Sequence, residues 1–120
     1  PQICYDLRFP VFARNVEAYD LLLYVANWPK PRINAWDALL KARAIENMCY
    51  VVGVNRVGED ANNLEYNGHS TTYNCYGESI SKQTKDEEFL ELVCLDKNHI
   101  SQIRNQLNFL NDKDEFKLQL

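Results

Sequence analysis

LLLYVANWPKPRINAWDALLKARAIENMCYVVGVN (residues 21–55) contains a strand, a helix and a second strand in one uninterrupted run. LLLYVA is an unbroken apolar stretch of strand length, the pattern of a strand covered on both faces. The loop NWPKPR that follows is stiffened by Pro29 and Pro31 and carries an indole and two cations. The spacing next predicts a helix over 35–48, with Asn34 as N-cap and Asp37 in its first turn. Trp36, Leu39, Leu40, Ile45 and Met48 supply its buried stripe, while Arg43 and Glu46, three residues apart, read as an ordinary helix-face pair. CYVVGVNRVG (49–58) is the second, β-branched strand.

Working outward, PQI (1–3) reads as a strand end that breaks at Cys4 into a charged turn. FPVFARNVEAYD (9–20) can make a short helix with Pro10 in its first turn. Beyond residue 58, EDANNLEYNG (59–68) is a polar loop. HSTTYN (69–74) reads as a strand, CYGE as a turn and SISKQT (79–84) as a hairpin partner. EFLELVCLD (88–96) is a further strand, and KNHISQIRNQL (97–107) a last helix with Asp96 as N-cap. The tail NFLNDKDEFKLQL keeps apolar residues in a charged background, as an arm packing on another surface would. The expected order is β-α-β-α-β-β-β-β-α, an α/β layered sheet.

Composition narrows the function. The 120 residues suit one domain, and 46% apolar with 25% charged residues exclude a disordered chain. A net charge of −4 without a basic cluster argues against nucleic acid. The apolar run at 21–26 is too short to span a bilayer, and no signal segment opens the chain. Because the sequence starts at Pro1, already inside a strand, it is expected to be a piece of a longer protein. Cys4, Cys49, Cys75 and Cys94 form no C-x-x-C pair and do not cluster with His69 or His99, so no zinc site is expected. Cys49 and Cys94 sit in apolar stretches and read as buried free thiols. A reducing cytoplasm is the simplest compartment.

Cys4 raises the functional question. By position it could be a packing thiol, a disulfide partner, a metal ligand or a nucleophile. A nucleophile gains from a strand-to-helix turn, where its side chain is exposed and the next N–H, here of Tyr5, can face a developing oxyanion. Its reactive form is the thiolate, which a nearby cation favours. Asp6 reads as the partner of Arg8 in a local ion pair. The Arg8 fork beside a nucleophile could instead hold a substrate carboxylate. Trp28 and Arg32 bracket a loop after a strand, where open α/β sheets bind ligands; surface packing fits them equally well. His69 invites a Cys–His dyad, but with nothing local to orient its ring, a backbone-bonded histidine is the preferred reading.

ICYDLRFPVFARN (3–15) closely resembles the nucleophile segment of the nitrilase, or carbon–nitrogen hydrolase, superfamily. The likeness continues in order through LLLYVANWP, AWDALLKARAIENMCYVVGVNRVG, YNGHSTTYNCYGE and DKDEFKL, essentially the whole chain. YVANWP and ARAIEN are most similar to the omega-amidase branch, whose members hydrolyse the terminal amide of 2-oxo acids such as 2-oxoglutaramate. The resemblance implies a four-layer α-β-β-α sandwich, of which residues 1–120 would be the C-terminal half with an arm at about 108–120. It implies a Glu-Lys-Cys triad whose cysteine is Cys4, with the Tyr5 N–H at the oxyanion, Arg8 on the carboxylate and Trp28 near the pocket. The family's N-P-x-G-E turn is here NCYGE, with Cys75 in place of proline.

The resemblance places the glutamate and lysine upstream of the cysteine, and no lysine present matches the catalytic one. The piece alone is therefore expected to be inactive. The implied partners are a small-molecule amide and a second copy of the intact protein, in a homodimer or higher oligomer. Neither nucleic acid nor membrane is implied, and no metal or cofactor. Two alternatives stand beside this: a non-catalytic truncated module, or another amidase or nitrilase of the superfamily.

Overall fold

The structure is a computed structural model that describes residues 1–82, 85–117 and 119. Strand β1 (Gln2–Ile3) runs into two 3-10 turns, Cys4–Arg8 and Pro10–Ala13. Strand β2 (Leu21–Ala26) and a third such turn, Lys30–Arg32, lead to helix α1 (Ile33–Asn47). Strands β3 (Tyr50–Asn55), β4 (Val57–Glu59), β5 (Glu65–Asn67) and β6 (Thr71–Tyr73) follow, then helix α2 (Lys97–Leu107) and a last 3-10 turn, Phe109–Asp112. The main sheet has the order β1-β2-β3-β6, while β4 and β5 form a separate antiparallel pair. β1 and β3 both run parallel to β2, and β6 is antiparallel to β3. Parallel neighbours need a crossover, and α1 is the crossover from β2 to β3.

One face of the sheet is sealed by that helix. Leu22 and Tyr24 of β2 and Val51 of β3 pack with Trp36, Leu40 and Ala44 of α1. The helix sits so close that a Cβ on Gly53 would overlap Leu40 Cδ1 and lie 2.8 Å from Trp36 Cζ2. A second cluster, Met48, Tyr50, Cys75, Ile100, Ile103 and Leu110, joins α2 to the start of β3. Arg104 of α2 ties it down, donating to the carbonyls of Met48 (3.0 Å) and Tyr19 (2.7 Å) and to the Asp20 carboxylate (2.8 Å).

The α/β layering agrees with the sequence, as do β2, β3, the body of α1, and α2 with its cap. The Asp96 carboxylate accepts from the Asn98 N–H at 2.8 Å. Elsewhere the structure corrects the reading. β2 is covered on one face only: Leu22 and Tyr24 are buried, while Leu21, Leu23 and Val25 are exposed. An unbroken apolar run does not reveal which face lacks a neighbour.

Residues 9–20 form only the Pro10–Ala13 turn. There the Asn15 side chain accepts from the Tyr19 N–H and donates to the Tyr19 carbonyl, competing with the helix ladder. α1 starts straight out of the Lys30–Arg32 turn, so Asn34 lies within it and Arg32 takes the N-cap place without a side-chain bond. Ile45 is exposed, outside the buried stripe.

Three of the ten residues of the expected loop 59–68, Glu65–Asn67, form β5, paired with β4. Of the expected hairpin partner, Ser79 makes a single bridge to Tyr73 and the Ile80 N–H donates to the Thr72 carbonyl; Gln83 and Thr84 lie outside the described residues. EFLELVCLD forms no strand, and Leu90 and Leu92 are fully exposed. β-propensity yields a strand only where a neighbour accepts its ladder bonds. Cys94 is accordingly exposed rather than buried. In the tail, Leu110 is buried and Lys113 Nζ donates to the Val16 carbonyl at 3.1 Å; Leu118 and Leu120 lie outside the described residues.

The Gly53 contact generates a direct test. Gly53→Ala should destabilise the fold by about 1–3 kcal/mol, since the added methyl displaces Leu40 and Trp36 from a packed core. Urea unfolding of the two proteins side by side would measure it.

Candidate active site

Cys4 is the first residue after β1 and adopts φ +43°, a left-handed conformation costly for a residue with a Cβ. The turn that follows is held locally. The Asp6 carboxylate accepts from the Ile3 N–H at 2.8 Å, and the Phe9 N–H donates to the Asp6 carbonyl at 3.0 Å. Asp6 therefore braces its own turn, and among the described residues it forms no ion pair with Arg8. Tyr5 is largely exposed, with its ring edge-on to Phe9.

Arg8 finds a different partner. Its guanidinium carbon lies 4.8 Å from the centroid of the Trp28 ring, a cation–π contact. Trp28 is 3% exposed, so it belongs to the core rather than the surface. Its N–H donates to Asn55 Oδ1 at 2.7 Å, its indole Nε1–H donates to the Arg32 carbonyl at 2.8 Å, and its ring lies 5.7 Å from that of Trp36. Arg32 thus contributes a backbone carbonyl, and its side chain is exposed. The structure brings Arg8 and Trp28 together and leaves the Arg32 cation outside that contact.

At the carboxyl ends of β1, β2 and β3 lies an open depression of about 500 Å³, lined by Ile3, Cys4, Val25, Ala26, Asn27, Val54, Asn55 and Arg56. That is where open α/β sheets bind ligands. A similar hollow of about 540 Å³ lies over β3 and β6 beneath residues 87–93, and Cys4 does not line it.

Two side chains named in the sequence have partners that it does not reveal. Arg43 is no ordinary surface pair: only 3% exposed, it donates from Nη2 to the Leu7 carbonyl at 2.6 Å and from Nη1 to Glu46 Oε1 at 2.9 Å. The i, i+3 spacing predicts the Glu46 bond but not the carbonyl of a turn 36 residues away. His69 is oriented after all, its Nδ1 lying 2.9 Å from the Asp37 carboxylate, while its carbonyl accepts from Trp36 Nε1–H at 3.0 Å. No motif links Asp37 to His69; only the fold does.

All four cysteines are free thiols. Burial pushes the Cys49 thiol up to about 12 and raises that of Cys75. Among the described residues, no three His, Cys, Asp or Glu side chains gather as a metal ligand set would, and no helix is long and apolar enough to cross a membrane.

Residues 1–105 match the family described as carbon-nitrogen hydrolase. The chain is 48% identical over 123 residues to the omega-amidase YafV of Escherichia coli (strain K12), covering 98% of this chain and 46% of that protein. It is 33% identical over 112 residues to the 2-oxoglutaramate amidase of Bacillus subtilis (strain 168), covering 92% of this chain and 42% of the relative. Among solved structures it superimposes on XC1258 from Xanthomonas campestris with a TM-score of 0.95 at 42% identity, over 99% of this chain and 48% of that one. XC1258 is a CN-hydrolase superfamily protein with an arsenic adduct in its active site. The chain spans about half the length of these relatives.

Thiol accessibility and pH both test this description. Iodoacetamide at pH 8 should modify Cys4 and Cys94 in the folded protein and spare Cys49 and Cys75 until denaturant is added, read by peptide mass spectrometry. Raising the pH from 9 to 12 should lower the melting temperature progressively. Unfolding lets Cys49 ionise from its ordinary 9.0 and Tyr24 from 10.0, whereas burial holds both protonated to about 12 in the fold.

Proposed function

From the premise that this chain belongs to the carbon–nitrogen hydrolase family, we propose that it carries the nucleophile half of an amidase. The substrate is the terminal amide of a 2-oxo acid of the 2-oxoglutaramate kind. The observation that carries this reading is Cys4 itself, held left-handed at the end of β1 on the rim of the depression, with the Arg8 cation four residues on. The identity to proteins named omega-amidase and 2-oxoglutaramate amidase supports the substrate class.

An amide carbonyl is a poor electrophile, so the reaction needs both an activated nucleophile and a charge-stabilised intermediate. In this reading a glutamate outside residues 1–120 takes the Cys4 proton, and the thiolate forms a C–S bond to the amide carbon. The carbonyl oxygen becomes an oxyanion, held by the Tyr5 N–H and a lysine also outside these residues. Losing one such donor costs on the order of 3 kcal/mol in the barrier. Collapse of the intermediate breaks the C–N bond, and ammonia leaves with the proton returned by the glutamate. Water, deprotonated by the same glutamate, then cleaves the thioester and frees a carboxylic acid and the Cys4 thiol.

Arg8 selects the substrate in this scheme. Held 4.8 Å from the Trp28 ring centroid and making no hydrogen bond or ion pair among the described residues, its guanidinium can form a two-pronged bond to the 2-oxo acid carboxylate. The exposed apolar face of the sheet, with Leu23, Val25 and Val54, takes the second sheet of the four-layer sandwich. The intact protein works as a dimer or higher oligomer in a reducing cytoplasm.

Ammonia release from 2-oxoglutaramate tests the proposal on three proteins: residues 1–120 alone, the chain with its natural upstream sequence, and that longer protein carrying Cys4→Ala. Release by the longer protein only, abolished by Cys4→Ala, is the expected result. A folded longer protein that is silent on this amide would sink the substrate assignment. Arg8→Lys should narrow the preference for 2-oxoglutaramate over an uncharged amide by about tenfold or more, because an ammonium cannot form the paired bonds.

A further inference from the structure

The chain after Cys4 has almost no regular structure of its own until β2, and the last turns of α1 hold it in place. The Glu46 carbonyl accepts from Arg14 Nη1 at 2.9 Å. Asn47 Oδ1 accepts from the Asn15 N–H at 2.8 Å, and Asn15 Nδ2 donates to the Asn47 carbonyl at 2.9 Å. Arg43 reaches furthest, into the Cys4–Arg8 turn itself, through its 2.6 Å bond to the carbonyl of fully buried Leu7.

That guanidinium is an unusual thing to bury. The hydroxyl of fully buried Tyr24 lies close enough for the guanidinium to act on it, by charge and by hydrogen bonding. Its carboxylate partner Glu46 is 37% exposed, and a pair so open to water adds little stability by itself. What the fork does provide is direction. One edge is fixed by Glu46 at 2.9 Å and the other points at a single backbone oxygen. A lysine ammonium offers no such rigid pair of edges.

We propose that Arg43 is a positioning residue for Cys4: anchored by Glu46, it pins the Leu7 carbonyl and thereby holds the Cys4–Arg8 turn. The pinned turn keeps Cys4 left-handed and half-buried on the rim of the depression, and aims the Tyr5 N–H where the oxyanion forms. The proposal rests on the reading of Cys4 as nucleophile. It requires that loosening the turn slow the chemistry without weakening substrate binding, since a misplacement of about 1 Å can cost on the order of 100-fold in rate.

The test uses the full-length protein with Cys94→Ser, reads alkylation on the Cys4 peptide by mass spectrometry, and adds Arg43→Lys, Glu46→Ala or Glu46→Gln. Arg43→Lys should lower kcat on 2-oxoglutaramate about tenfold or more with KM within about twofold, the signature of a loss confined to the transition state. Glu46→Ala, at a partly exposed position, leaves Arg43 without its carboxylate and should lower kcat about threefold to tenfold at a temperature where the variant is still fully folded. Glu46→Gln keeps an acceptor for Nη1 and should stay near the parent. The alkylation rate of Cys4 by iodoacetamide should fall in parallel with kcat.

Unchanged kcat and alkylation in folded Arg43→Lys or in Glu46→Ala overturns the proposal. So does a kcat loss that merely tracks the fraction of folded protein. Should the parent release no ammonia, the amidase reading fails, and the alkylation rates alone decide whether Arg43 positions Cys4.

Discussion

The seat of α1 on the sheet at Gly53 is the constraint on which the rest depends. With no side chain there, Leu40 and Trp36 drop onto β3 itself, and two consequences follow at opposite ends of the helix. At its start, Trp36 stands beside Trp28 and donates to the His69 carbonyl, fixing the floor under Arg8 and the approach to β6. At its end, Arg43, Glu46 and Asn47 come within bonding distance of Leu7, Arg14 and Asn15. A helix riding even one methyl higher would loosen both grips together, because a packed interior transmits such shifts rather than absorbing them.

How far the sequence could be read follows from the range of each interaction. β2 and β3 are continuous apolar runs, and α2 carries its own cap in Asp96, so local chemistry alone declares them. Cys4 was visible as a possible nucleophile because a strand-to-turn position is itself local, and the family resemblance then favoured one of several readings. Arg43 was invisible as anything but half of a helix-face pair, since its decisive partner is a backbone oxygen 36 residues away. Asp37 and His69, 32 residues apart, were missed for the same reason. Residues 9–20 misled in the other direction: their composition suits a helix, but Asn15 supplies a competing set of bonds within its own segment.

Strand expectation failed at 88–96 for a physical reason that bears on the site. A strand is a shared object, and its apolar alternation becomes structure only when a neighbour accepts its hydrogen bonds. Leu90 and Leu92 therefore stand fully exposed. Leu21, Leu23, Val25 and Val54 are likewise left open on the sheet face away from α1.

The position of Cys4 relative to that open face has a consequence for how the site is completed. Ile3, Val25 and Val54 form one row across β1, β2 and β3 in the observed register, all three exposed, and Cys4 follows Ile3 directly. In a four-layer sandwich, the second sheet would cover this row, and each side chain fully buried there stabilises by about 1.5–3 kcal/mol. Those three residues line the depression together with Cys4, so the same layer would roof it and exclude water from one side of the thiol. Assembly and catalysis would then share one surface: the exposed apolar row is the one that a covering layer would bury as it roofed the depression.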